Sequence, residues 1–107
     1  SGGNVQKVLV GREIAMHPDI LLVAYPVRGL DINSSYQIYN LMNDLKKQGI
    51  AVMFVSSEMP EVMGIADRII VMCDGRITGE MSAEEATQSG ILTLATQFEN
   101  KLEAGAK

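Results

Sequence analysis

The chain has 107 residues, 47% of them hydrophobic and 21% charged, which bounds it at one domain with a modest core. A net charge of −4 and only nine scattered Lys and Arg exclude the clustered basic footprint that nucleic-acid binding requires. One cysteine, Cys73, permits no internal disulfide and fits a reducing compartment such as the cytosol, and no apolar run approaches the ~20 residues that span a bilayer.

The chain opens on Ser1-Gly2-Gly3-Asn4, without an initiator Met or a charged leader, as expected of a fragment. Residues 4–16, NVQKVLVGREIAM, space their apolar positions as a helix does, with Ser1 or Asn4 available as N-cap. His17-Pro18 ends that helix, because the residue before a proline avoids the α region. DILLVAY then reads as a short buried strand and PVRGLDINSS as a loop with a cap at its end. Over 34–48, Ile38, Leu41, Met42 and Leu45 predict an amphipathic helix closed by Gly49. IAVMFVS is a continuous apolar run, the pattern of a strand buried on both faces of a parallel sheet. A short helix is expected around Met59–Ile65, and then RIIVMCDGRITGEM as a hairpin turning at Asp74-Gly75. SAEEATQSG is expected to be a helix with Ser82 and Glu85 as a capping box. Residues 91–103 would continue as a terminal helix, and 104–107 as a frayed tail. The order strand, helix, strand, helix, hairpin implies an α/β fold with a largely parallel sheet, flanking helices and a C-terminal antiparallel hairpin.

Ser1-Gly2-Gly3 stands directly before the first helix. Glycines there let backbone N–H groups face outward, and a helix N-terminus favours anions. On these residues alone, a phosphate-facing helix start and a plain chain end are equally good readings.

The residues downstream decide between them. SGGNVQKVLVGREIAMHPDILLVAYPVRGLDINSS resembles the run from signature motif to D-loop in ABC transporter ATPases. Ser1, Gly2, Gly3, Asn4, Gln6 and Lys7 match the LSGGN-x-QK form found in the second ATPase half of simple-sugar and nucleoside importers, without its leading Leu. Ile20–Val23 match the hydrophobic strand that precedes the family's Asp-Glu-Pro-Thr, and Gly29-Leu30-Asp31 match its D-loop. VMFVSSEMPEVMGIADRIIVMCDGRITGE resembles the switch-loop strand, the next helix and the final hairpin, so nearly the whole chain is covered. The resemblance implies a single partial domain over 1–107, the C-terminal half of a P-loop ABC ATPase core.

The departures fall where the family does its chemistry. Its strand-end Asp holds Mg²⁺ through water, and the following Glu positions or activates the attacking water; both tasks need carboxylate oxygens. Ala24 and Tyr25 stand at those positions. An alanine has no ligand atom, and a phenol with an ordinary pKa near ~10 is a poor base at neutral pH. Ser57 stands where the family has its switch-loop His, and it can hydrogen-bond a phosphate without carrying charge. No G-x-x-x-x-G-K-[ST] stretch occurs in the 107 residues, so neither ATP nor Mg²⁺ is expected to bind these residues by themselves, although both belong to the complete transporter.

The resemblance therefore implies a Walker B site that is catalytically degenerate, with no catalytic residue and no metal ligand of its own. It also implies that Ser1, Gly2, Gly3, Asn4 and Gln6 complete the ATP site of a second ABC ATPase domain, with Asp31 at the shared interface. The partners implied are that domain and membrane permease subunits at the cytoplasmic face, and no nucleic acid. A homodimer of the fragment is also expected, because a partial sheet leaves strand edges and apolar faces uncovered. The alternative class is a non-catalytic α/β structural or protein-interaction module without nucleotide function. His17 reads as a solvent-facing loop residue, Cys73 as an inert buried thiol in an apolar strand, and the seven methionines as mainly core or helix-face residues. Glu58 and Glu61 favour a helix N-terminus, and the run Glu80–Glu85 reads as a solvated cap.

Overall fold

A computed structural model describes residues 11–12 and 15–97. The chain divides into two compact units, Ser1–Ser57 and Glu58–Lys107, each of which is taken by itself. Gly11, Arg12 and Ala15 are helical and a turn comes at Met16. Most of the helix expected over 4–16 lies outside the described residues.

In the first unit, β1 (Ile20–Ala24) and β2 (Ala51–Val55) pair in parallel, with Ile20 opposite Ala51 and Ala24 opposite Val55. Parallel neighbours need a long crossover, and α1 (Ile32–Lys47) supplies it. This helix begins two residues before the expected start. The reason is Asp31, whose carboxylate accepts the Ser34 N–H at 2.7 Å and so occupies the N-cap position. At the other end the Gly49 N–H donates to Lys46 O at 3.0 Å and the Ile50 N–H to Leu45 O at 3.1 Å. That pair of bonds is a Schellman motif, and it needs the left-handed conformation Gly49 adopts at φ 88°.

The amphipathic pattern of α1 is realised. Ile38, Met42 and Leu45 are buried on one stripe, Leu45 to 2% exposure, and the helix packs on β2. Removing one such side chain from water stabilises by about 1.5–3 kcal/mol. The expectation of burial on both faces of IAVMFVS is not met. Alternate residues point to opposite faces of a strand; Leu21, Val23, Val52 and Phe54 are buried or half-buried, while Ile20, Leu22, Ala24, Ala51, Met53 and Val55 are exposed. Among the described residues of this unit a helix covers one face only.

In the second unit, α2 (Met59–Ile65) places Pro60 in its first turn, where a missing N–H costs nothing. Next come β3 (Arg68–Cys73) and β4 (Arg76–Ser82), an antiparallel hairpin. Asp74 and Gly75 both have positive φ, 51° and 75°, as a two-residue primed turn demands. A bulge opposite Val71–Met72 leaves Thr78 as the extra residue, and its hydroxyl lies 2.8 Å from Leu94 O on α3 (Gln88–Ala95). Ile69, Val71 and Ile91 form the buried core, with Met59, Val62, Met63, Met81 and Leu94 packed around them.

The expected capping box at Ser82 is corrected. Ser82 still pairs with Arg68 in the hairpin, and the Ala83 N–H donates to Asp67 O at 3.0 Å. Residues 83–85 make a turn, with the Glu85 N–H 3.3 Å from Ser82 Oγ. The helix starts only at Gln88, capped by Thr87, whose hydroxyl accepts the Gly90 N–H at 3.0 Å. Of the terminal helix expected over 91–103, residues 91–95 are helical and the helix is capped at Thr96; residues 98–107, with the rest of that stretch and the tail, lie outside the described residues. No described helix is long and apolar enough to cross a membrane.

Candidate functional site

Parallel pairing brings the C-terminal ends of β1 and β2 side by side, and three of the residues singled out in the sequence lie at or just beyond those ends. Ala24 closes β1 opposite Val55. The next residue, Tyr25, donates its N–H to Val55 O at 2.8 Å, which fastens it to the end of β2. Ser57 lies two residues past Val55 and is exposed. In open α/β sheets this end of the strands is where ligands are received.

The chemistry available there is limited. Ala24 offers a methyl group to solvent. Tyr25 is 38% exposed and adopts φ 51°, an outlier for a bulky side chain that costs about 1–3 kcal/mol. Its ring is covered by the Arg28 guanidinium, 3.7 Å from the ring centroid. A cation over an aromatic face recovers about 0.5–1 kcal/mol at an exposed site. Sequence reasoning missed this pair. The signal was an aromatic and a basic residue three apart across Pro26, and it becomes legible only once a turn is known to bring them together.

Mg²⁺ does not fit. It would need oxygen ligands in a near-octahedral shell, and the Ala24 side chain provides none. Among the described residues no group of three or more His, Cys, Asp or Glu could hold a metal ion.

Asp31 lies at the far end of the same loop, and its carboxylate is engaged locally. The Ser34 backbone N–H, and after it the Ser34 hydroxyl, hold its pKa below the usual carboxylate range. The Ser35 hydroxyl donates to the Asp31 carbonyl at 2.8 Å. Asp31 is thus a helix cap in this chain, whatever else it contacts in an assembly. Ser1, Gly2, Gly3, Asn4, Gln6 and Lys7 lie outside the described residues.

No protein-family model matches the chain. It is 52% identical over 96 residues to the xylose import ATP-binding protein XylG of Moorella thermoacetica, covering 90% of this chain and 19% of that protein. It is 51% identical over 96 residues to the ribose import ATP-binding protein RbsA of Bacillus subtilis, covering 90% and 20%. Among solved structures, the chain overlays on a nucleotide-free ATP-binding cassette from an ABC transporter with a TM-score of 0.77 at 27% identity, covering 87% of this chain and 36% of that one. It overlays on a metal-chelate type ABC transporter in an inward-facing conformation with a TM-score of 0.79 at 24% identity, covering 91% and 39%; that likeness shows the fold.

The chain belongs to the ATP-binding proteins of ABC transporters. It spans about a fifth of the length of the relatives it matches and somewhat over a third of the solved ABC chains. The α/β arrangement of β1, α1, β2, α2 and the β3–β4 hairpin is accordingly a partial ABC ATPase core.

Proposed function

We propose that this chain is the C-terminal part of the second nucleotide-binding domain of an ABC importer for a sugar or nucleoside. Its own Walker B position is degenerate, and its signature residues complete the ATP site of a partner domain. The observation that carries this reading is the end of the β1–β2 pair. An exposed methyl at Ala24, an Arg-covered phenol at Tyr25 and a hydroxyl at Ser57 stand where the family has its two carboxylates and its imidazole. The relatives named for xylose and ribose import support the solute class.

On this reading Ser1 offers a hydroxyl and Gly2 and Gly3 offer backbone N–H groups to nucleotide held by the opposite domain. ATP and Mg²⁺ belong to that complete assembly, which docks on permease subunits at the inner membrane face. The test is association of the 107-residue chain with a P-loop-bearing ABC ATPase domain, measured by sedimentation with and without ATP. Expected is ATP-dependent association that Ser1→Ala weakens and Gly2→Glu abolishes. Absence of any ATP dependence would sink the reading and leave the interaction-module alternative. The degenerate site has its own check in the full polypeptide that carries this segment. There Ala24→Asp with Tyr25→Glu and Ser57→His should raise ATP turnover, whereas no change would count against a degenerate site.

A further inference from the structure

Tyr25 occupies a conformation that its residue type disfavours, and everything around it is arranged to hold it there. Its N–H is bonded to Val55 O at 2.8 Å, its carbonyl accepts the Arg28 N–H at 3.2 Å, and the Leu30 N–H closes a second turn on Val27 O at 3.0 Å. Within the first of these turns Pro26 is buried, which anchors the start of the loop. The Arg28 guanidinium then folds back over the Tyr25 ring at 3.7 Å. Immediately after Leu30, the Asp31 cap fixes the start of α1. Main-chain and side-chain contacts thus run without interruption from the end of β1 to the first turn of α1.

A strand-end loop that carries two carboxylates can be organised by the cation and phosphate it receives. This one has no carboxylate before Asp31, and its order comes from the protein itself. We propose that the Tyr25–Arg28 stack is a ligand-independent clasp that fixes the loop of residues 25–31 in one conformation with no nucleotide present. Tyr25 and Arg28 are positioning residues: their side chains act on the loop and on no reacting atom. If the proposed function holds, on which this consequence alone rests, the clasp keeps Gly29-Leu30-Asp31 in the same shape towards the partner throughout that partner's ATP cycle.

Amide hydrogen exchange on the 107-residue chain, without nucleotide, tests the clasp. The Arg28 and Leu30 amides report the two turns. Arg28→Ala should speed their exchange by about two- to five-fold, the weight of an exposed cation–π contact, while amides of β3 and β4 stay unchanged. Tyr25→Phe keeps the aromatic face and should match the wild-type chain. Tyr25→Asn separates ring from backbone, because Asn tolerates the left-handed conformation but offers no ring; in that background a further Arg28→Ala should no longer speed the exchange. The side-chain δ protons of Arg28 should show an upfield ring-current shift, kept in Tyr25→Phe and lost in Tyr25→Asn.

Unchanged exchange in Arg28→Ala, or an Arg28→Ala effect that persists in full in the Tyr25→Asn chain, would overturn the clasp. The partner-association measurement is separate. Failure of the wild-type chain to associate counts against the proposed function, and the exchange pattern still decides the clasp.

Discussion

Asp31 is the residue on which local structure and proposed function make competing demands. Its side chain is committed to the Ser34 N–H at 2.7 Å, while the family resemblance places it at an interface between ATPase domains. The two roles separate by substitution. Asn is as good an N-cap as Asp but carries no charge, and Ala caps poorly. Asp31→Ala should lower the helical ellipticity and melting temperature of the chain, and Asp31→Asn should leave both close to wild type at neutral pH. The acid limb gives a second reading. Hydrogen bonds from Ser34 lower the Asp31 pKa from its ordinary value of 3.8. The stability this group contributes is therefore present above 3.8 and is lost as pH falls through the depressed folded value. Titrated by circular dichroism below about pH 4, wild type should lose helix that Asp31→Asn retains. Equal acid sensitivity in the two chains would show that the cap charge contributes nothing. The residue was legible as a polar loop position and as a motif match. Its capping role was not, because the sequence also offers Ser34 and Ser35, and only the backbone angle of Asp31 decides among them.

At the scale of elements, what could be read from the chain were features enforced by neighbours in sequence. The Asp74-Gly75 turn is such a case: two residues with positive φ join β3 and β4, and only a few residue types adopt that geometry cheaply. Gly75→Ala should therefore destabilise the hairpin by about 1–2 kcal/mol, the cost of a left-handed non-glycine residue. Asp74→Asn should be close to neutral, since Asn suits the first turn position. Urea unfolding of both variants checks the pair, and a Gly75→Ala chain as stable as wild type would contradict the turn assignment. The capping box at Ser82 shows the converse. Its Ser and Glu are correctly spaced and the Glu85 N–H does reach Ser82 Oγ at 3.3 Å. Yet Ser82 is held in the ladder by Arg68 across the hairpin, a distant partner that no local pattern announces. The parallel pairing of β1 with β2 was legible because a helix-length crossover separates two apolar runs. The Tyr25–Arg28 stack was not, because it depends on a turn whose shape is set by Val55 on a distant strand.

The whole molecule carries a consequence that neither residues nor elements show alone. In the first unit α1 covers one face of the β1–β2 pair, and the opposite face presents Ile20, Leu22, Met53 and Val55, with Leu22 69% and Met53 51% exposed. In the second, Ile70, Met72 and Ile77 line the solvent face of the hairpin. Contiguous apolar surface of this kind mediates association in water, because removing it from solvent gains about 25 cal/mol per Å². The net charge of −4 is too small to keep copies apart by repulsion. The chain alone should therefore self-associate, with a sedimentation coefficient that rises with protein concentration. Met53→Lys and Leu22→Lys together should shift it towards monomer. Both side chains are exposed and sit in mid-strand, so the substitutions remove apolar surface without emptying the core, and far-UV circular dichroism should be unchanged. Association should persist or strengthen slightly with added salt, since the driving term is apolar and salt screens the like charges of the copies. A wild-type chain that sediments as a monomer at all concentrations, or a double variant that associates as strongly as wild type, would show that this face is not what holds copies together.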